Sequence, residues 1–336
     1  MSDTLISSEV DLDQPGKHSG FLRVPHSVHR SAYGWIPVPI TVLANGNGPT
    51  LLMMAGIHGD EYEGQIALTK LLRELEPAEI NGRIIILTMA NYPAAEAGLR
   101  TSPIDEGNLN RAFPGNPRGG PTDMIAHYIE HILMPEADYM VDLHSGGTSL
   151  FYPPTLLRGM GHNEKEAEKL KAMQSAFDLP YAWVFTGGGG PNSTARTALG
   201  AANRNGVVGI MAELGGGGGV DRDILCQTER GLRRILHALD MLPGYLPDAA
   251  RGTREVNALG SVFAYEPGLF EPFKDIADSV EKGEIVGEIH HPETPWKSPD
   301  PVTSPHAGIV LCKRALGQVG RGDAVFQIAR DADGGA

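Results

Sequence analysis

Four consecutive stretches constrain the fold most: an apolar run, Leu51 to Ala55; the segment Gly56-Ile57-His58-Gly59-Asp60-Glu61-Tyr62-Glu63-Gly64; an amphipathic run, Gln65 to Leu75; and, after an Asn81-Gly82 turn, the β-branched Arg83 to Met89. Strand, helix and strand in that order predict a right-handed parallel crossover in an α/β sheet. Ligands of such sheets gather at the C-terminal ends of the strands, which is where Gly56 to Gly64 falls. His58 and Glu61 are three positions apart. On a tight turn or a first helical turn they can converge on one cation. The same spacing also suits a solvated helix start with acids near its N-terminus.

The choice turns on a third ligand, and His144 supplies it. Ala137 to Val141 reads as a short buried strand, so Asp142-Leu143-His144-Ser145-Gly146-Gly147 also emerges at a strand's C-terminal end. Two His and one Glu leave the fourth position of a tetrahedral zinc free for water, the stoichiometry of a catalytic rather than a structural site. Asp142, two residues before His144, faces the same side of the strand and is placed to orient the imidazole. Glu213 closes another buried strand, Val207 to Ala212, and is followed by Leu214 and the glycines 215 to 219. A carboxylate there, in an apolar run beside a pliable backbone, is placed to face a site.

Charge and cysteine usage exclude several classes. A formal charge of -13 over 336 residues argues against nucleic acid or an anionic membrane as partner. Cys226 and Cys312 are the two cysteines, too few for a disulfide framework or a thiolate zinc cluster, and both are expected as buried apolar side chains in a reducing compartment. Met1 to Gly16 lacks the basic start and apolar core of a signal peptide, and no run approaches the roughly 18 apolar residues of a membrane helix, so the cytoplasm is the expected location.

Elsewhere, Ile36 to Val42, broken by Pro37 and Pro39, reads as edge strand, and Asn45 to Gly48 as a hairpin or turn. Asn91 to Pro121 reads as a long functional loop carrying Arg100, Asp105, Asn108 and Asn110-Arg111 ahead of Phe113-Pro114-Gly115. An adjacent Asn and Arg can present an amide and a five-donor fork to one carboxylate. Pro121 to Leu133 reads as a helix whose His127 and His131 form a solvated pair. Asn163 to Phe177 and Asp221 to Leu242 read as amphipathic helices, and Tyr181 to Phe185 as a strand. Gly187 to Gly190 lacks a phosphate-loop ending and reads as a flexible active-site loop; Ser193-Thr194 caps the helix carrying Arg196. Residues 1–245 are expected to form a hydrolase domain and 246–336 a small all-β domain with strands at Gly260 to Tyr265, Ile285 to Ile289, Gly308 to Cys312 and Ala324 to Ile328. Related turns at Lys282-Gly283-Glu284 and Arg321-Gly322-Asp323 hint at two similar halves, and Asp331 to Ala336 reads as a disordered tail.

Taken in order, Gly56 to Gly64, Asn110-Arg111 with Phe113-Pro114-Gly115, Asp142-Leu143-His144 and Glu213-Leu214-Gly215 resemble the motifs of the succinylglutamate desuccinylase/aspartoacylase family of zinc carboxypeptidase-like amidohydrolases. The resemblance spans roughly Leu51 to Gly219. It implies an α/β fold, a zinc-carboxypeptidase-like mixed sheet flanked by helices, with a smaller barrel-like C-terminal β domain. It implies one zinc ion per chain on His58, Glu61 and His144, with Glu213 as general base toward the water there and Arg100 stabilising the oxyanion. Asn110 and Arg111 would hold the α-carboxylate of an Nα-acyl amino acid, the small-molecule partner. Arg196 either contacts substrate or is a helix-surface arginine. The wording of the first motif and the chain length are most similar to the branch acting on Nα-acetyl-L-2,4-diaminobutyrate in ectoine breakdown. The γ-amino group of that substrate calls for a carboxylate, with Asp60, Glu63, Asp105 and Glu106 as candidates, whereas aspartoacylase- or succinylglutamate-type deacylation calls for extra Arg or Lys. The C-terminal part resembles a biotinyl or lipoyl carrier barrel without the modified-lysine turn and is read as a wall over the site. A zinc carboxypeptidase and a non-enzymatic binding protein with a vestigial metal site are the rival readings; zinc versus cobalt or manganese, and assembly into a homo-oligomer, stay open.

Overall fold

The structure, a computed structural model, describes residues 3–185 and 193–332. A short β1 (Ser7–Ser8) pairs with β2 (Gly16–Pro25), which forms an antiparallel pair with β3 (Trp35–Asn45). Then come β4 (Thr50–Ala55), α1 (Tyr62–Glu74) and β5 (Gly82–Leu87), with β4 and β5 parallel as the crossover requires. The loop expected from Asn91 to Pro121 contains a short α2 (Tyr92–Ala97) and a single 3-10 turn, Leu109–Arg111. Next follow α3 (Pro121–Tyr128), β6 (Tyr139–His144), β7 (Leu150–Arg158), α4 (Glu164–Phe177), β8 (Tyr181–Val184), α5 (Ala198–Arg204), β9 (Val208–Gly216) and α6 (Arg222–Ala238). The remaining strands are β10 (Arg254–Phe263), β11 (Gly268–Pro272), β12 (Ser279–Val280), β13 (Ile285–His290), β14 (Asp300–Thr303), β15 (Gly308–Arg314), β16 (Gln318–Val319) and β17 (Ala324–Asp331).

Among the described residues the main sheet runs β1-β2-β3-β5-β4-β6-β9-β7-β8-β10-β17-β15-β12. Its centre, β5-β4-β6-β9, is parallel, and the run Leu51 to Met54 is apolar throughout because both faces are covered: Leu51 and Met53 pack into one core, Leu52 and Met54 into the other. The first core lies under α1, α4 and α6, and the second under α3 and α5. Pro37 and Pro39 pair with β2, while β3 meets β5 only from Thr41 onward, so the prolines occupy a stretch with no second neighbour to receive their missing N–H. Asn45 to Gly48 turns the chain but makes no hairpin, since β5 lies between β3 and β4.

β7 escapes a reading from sequence because Pro153 and Pro154 stand inside it. They coincide with a register break against β9 between Tyr152 and Thr155, where the ladder needs no donor. β7 also pairs with β15, so β7-β8-β10-β17-β15 closes into a ring. The barrel-like part therefore borrows two strands, β7 and β8, from the stretch before α6. A second sheet, β14-β13-β11-β16, packs on it around Val262, Phe270, Val286 and Phe326.

Other expectations need correction. The helix from Pro121 ends at Tyr128, and Ile129–Leu133 continues as a π turn. Cys312 is buried, but Cys226 is exposed, on the face of α6 opposite its buried stripe of Ile224, Leu232, Ile235 and Leu236. Asp331 is not tail: it ends β17 and bonds Arg254 Nε at 2.6 Å. Gly187 to Gly190 lies outside the described residues. No helix among those described is long and apolar enough to cross a membrane.

Candidate active site

Parallel strands deliver the site residues to one edge. His58 and Glu61 leave the end of β4, His144 is the last residue of β6, and Glu213 stands directly beside His144 in the parallel register of β6 and β9. Glycine permits the close seat of α1: a Cβ on Gly64 would lie 2.5 Å from Leu143 Cβ. Glu61, the residue before α1, has extended backbone, and its carboxylate points at the two imidazoles.

Three donor groups meet there. Nδ1 of His58 is 2.7 Å from Glu61 Oε1, Nδ1 of His144 is 2.9 Å from Glu61 Oε2, and the two Nδ1 atoms are 3.3 Å apart. All three side chains are buried, and their ligand atoms lie within 4.8 Å of one another. Each imidazole is held from its far side: His144 Nε2–H donates to Asp142 Oδ2 at 2.9 Å, and His58 Nε2–H donates to Asn108 Oδ1 at 3.1 Å. Both Nδ1 atoms are thereby left as lone-pair donors. Two nitrogens on metal bonds of about 2.0–2.1 Å at a tetrahedral angle stand about 3.3 Å apart, which is the observed separation. The donor set and its spacing fit a divalent cation.

The electrostatics point the same way. Burial alone would raise the Glu61 carboxyl, but His58 and His144 outweigh it and hold it well below the ordinary carboxylate range. Burial opposes a charge on His144, yet Asp142 and Glu61 carry its proton affinity well above the ordinary imidazole value. A pocket that pulls a proton this strongly pulls a metal cation for the same reason. Burial, then the negative charge of Glu61, pushes Glu213 up to about 8. Its Oε2 is buried with no hydrogen-bond partner among the described residues.

A cavity of about 640 Å³ opens over these groups. Arg100, Asn110 and Arg111 line it, and β10 and β17 add Asn257, Gln327 and Arg330 on the far wall. Arg100 Nη1 is 3.4 Å from Glu61 Oε1. Asn110 Oδ1 accepts from Ala198 N–H at 3.0 Å, which leaves its amide N–H groups as the donors for a ligand. Burial and then the charges of Arg100 and Arg196 pull Arg111 below the ordinary guanidinium value, the mark of a cationic cluster. Arg196 itself is exposed in a 3-10 turn and does not line the cavity.

The likeness to known proteins extends along nearly the whole chain. The pattern of the succinylglutamate desuccinylase/aspartoacylase catalytic domain matches residues 47–239. The chain belongs to this family. It is 35% identical over 328 residues, 96% of this chain and 94% of the other, to the N-alpha-acetyl-L-2,4-diaminobutyric acid deacetylase of Halomonas elongata. The product-bound structure of the ectoine utilization protein EutE (DoeB) from Ruegeria pomeroyi is similar at a TM-score of 0.92 and 35% identity, covering 97% of this chain and 99% of that one. A succinylglutamate desuccinylase/aspartoacylase from Rhodobacter sphaeroides superposes at a TM-score of 0.89 with 34% identity, over 97% and 99% of the two chains. The family resemblance and the α/β fold with a barrel-like C-terminal part, both expected from the motifs, are borne out.

Some functional residues gave little or no signal. Asn108 stood out as a polar loop residue, but nothing tied it to His58, 50 positions earlier. Tyr152, whose hydroxyl donates to Gln327 Oε1 at 3.1 Å, lines the cavity from the unread β7. The carboxylates suggested for a substrate amino group do not line the cavity: Asp105 accepts from Thr122 N–H and Oγ1–H, Asp60 and Glu63 bond to backbone, and Glu106 is exposed.

Proposed function

We propose that this family member is a zinc-dependent amidohydrolase, one ion per chain, that removes the acetyl group from Nα-acetyl-L-2,4-diaminobutyrate to give acetate and the free diamino acid. The observation that carries the proposal is the 3.3 Å approach of the two Nδ1 atoms above Glu61, beside the unpartnered Glu213 Oε2. The substrate is supported by the activity for which the Halomonas elongata relative is named and by the likeness to EutE.

A zinc ion on His58, Glu61 and His144 would supply Lewis acidity toward the acetyl carbonyl and a water whose pKa is lowered to about 7. The chain's own residues do the rest. Asn108 and Asp142 keep the two Nε2–H groups engaged, so both Nδ1 lone pairs stay available. Glu213 takes a proton from the attacking water and returns it to the departing α-nitrogen, and its raised proton affinity suits both transfers. Arg100 faces the negative charge that develops on the carbonyl oxygen. Asn110, through its amide, and Arg111, through its guanidinium, hold the α-carboxylate, and Arg196, outside the cavity lining, adds positive charge felt at Arg111. The only carboxylates lining the cavity among the described residues are Glu61 and Glu213, so the γ-ammonium group is left to neutral acceptors such as Asn257 and Gln327.

Arg330 on the cavity wall favours a second reading, deacylation of an amino acid that carries a side-chain carboxylate, as in aspartoacylase or succinylglutamate chemistry. Amine release from Nα-acetyl-L-2,4-diaminobutyrate, N-acetylaspartate, N-succinylglutamate and a blocked dipeptide decides among the readings. The proposal expects the first to have the highest kcat/KM on the zinc-loaded chain. Preference for N-acetylaspartate or N-succinylglutamate would transfer the assignment to the second reading, and preference for the dipeptide would make the chain a carboxypeptidase.

A further inference from the structure

Asp60 and Glu63 flank Glu61 in the Gly56 to Gly64 motif, are 6% and 1% exposed, and line no part of the cavity. Asp60 Oδ2 accepts from Thr148 N–H at 2.7 Å and from Thr148 Oγ1–H at 2.9 Å. Thr148 ends the short segment after His144, whose Ser145 N–H donates to Glu61 Oε2 at 3.1 Å. The fit leaves no slack, since a Cβ on Gly147 would stand 2.6 Å from Asp60 Oδ2. Glu63 Oε1 accepts from Asp221 N–H at 3.1 Å, at the far end of the loop that follows Glu213. Gly215, two residues after Glu213 and at φ +79, also passes this carboxylate: a Cβ there would be 3.2 Å from Glu63 Oε1. The two loops are joined to each other by Gly146 N–H to Gly215 O at 3.0 Å and Gly218 N–H to Gly147 O at 2.9 Å.

One turn of chain thus grips both of the other strand ends that carry site residues. Hydrogen bonds from backbone N–H to a buried carboxylate are among the stronger ones, and site geometry tolerates errors of only about 0.5 Å. We propose that Asp60 and Glu63 are positioning residues with separate duties. Asp60 fixes the loop after His144, and with it the Glu61 carboxylate, for cation binding. Glu63 fixes the Gly215 to Asp221 loop, and with it Glu213, for proton transfer. The inference rests on the metal centre and base proposed above and assigns each an anchor that touches neither substrate nor ion.

The test separates affinity from turnover. Full-length metal-free protein is titrated with Zn²⁺ against a chromophoric chelator, and kcat and KM are measured on the zinc-saturated chain. Asp60→Ala is expected to weaken zinc binding by about 10- to 100-fold, the range for lost support of a ligand, with a smaller loss of kcat. Glu63→Ala is expected to keep zinc affinity within about two-fold of the parent and KM unchanged, while kcat falls by about ten-fold, the order expected when a general base is displaced. Asp60→Asn and Glu63→Gln keep the accepting oxygen and should recover most of each loss. Alanine variants that lose affinity and kcat in equal proportion, or amide variants no better than alanine, would overturn the proposal. Should the alanine variants fail to fold, Thr148→Val removes only the hydroxyl donor to Asp60: weaker zinc binding supports the proposal, and parental binding contradicts it. A parent chain that binds no zinc, or Glu213→Gln at parental turnover, would instead refute the centre itself.

Discussion

His144 joins two roles in one ring, with Nδ1 turned to the donor cluster and Nε2 held by Asp142, which is 0% exposed. Strand alternation made that pairing legible, because residues two apart share a face. The support of His58 was not legible: Asn108 sits in a loop without periodicity, and only the tertiary structure brings it to Nε2. Both supports should matter to the same degree. Asp142→Ala and Asn108→Ala are each expected to lower zinc affinity by about 10- to 100-fold, read by competition with a chelator, while thermal stability of the metal-free chains stays near parental for Asn108→Ala. Zinc affinity unchanged in both variants would show that the rings need no fixing. Glu213 could be read as a carboxylate facing a site, but an Oε2 without a partner among the described residues is a property of the packed interior that no sequence pattern displays.

Elements with an unbroken apolar run or a regular amphipathic stripe were the easiest to anticipate. β4 and α1 follow from an apolar run and an amphipathic stripe, with α1 observed at Tyr62–Glu74. β7 did not follow, since its prolines mimic a break and only the irregular pairing with β9 reconciles them with a strand. The packing of α4 on α6 was equally invisible. A Cβ on Gly231 of α6 would sit 2.0 Å from Phe177 Cδ2 of α4, so contact between the helices depends on the absence of a side chain there. Gly231→Ala should therefore destabilise the protein by about 1–3 kcal/mol through overpacking, despite the higher helix propensity of alanine. Denaturant unfolding checks it; a midpoint at or above the parent's would mean that the helices separate without cost.

Across the whole molecule, polar anchors tie the segment after α6 to the helical layer and so set where the cavity's far wall stands. Asp178, 4% exposed, accepts from Arg251 N–H, Gly252 N–H and Arg230 Nη2, and Arg158 bonds Glu255. Burial would raise the Asp178 carboxyl, but the Arg251 and Arg230 bonds prevail and lower it. A carboxyl with a depressed folded-state pKa stabilises the fold above its unfolded value and loses that contribution as the pH falls through the folded one. Asp178→Ala should cost about 1–3 kcal/mol at pH 7, with the difference from the parent shrinking as the pH drops below the ordinary 3.8. A constant difference in unfolding free energy down to that range would deny the carboxylate its role. Pro247 to Arg254 has a linker's composition, but composition does not tell a tethered linker from a free one. The proposed centre sets four side chains from three strand ends, His58, Glu61, His144 and Glu213, around one substrate carbonyl. The most direct measurement is amine release from Nα-acetyl-L-2,4-diaminobutyrate by zinc-loaded parent and Glu213→Gln, with metal content determined in the same samples. One zinc per chain in both proteins, with turnover lower by about 10²- to 10⁴-fold in the variant, is the predicted result; equal turnover, or a parent chain without bound metal, would contradict it.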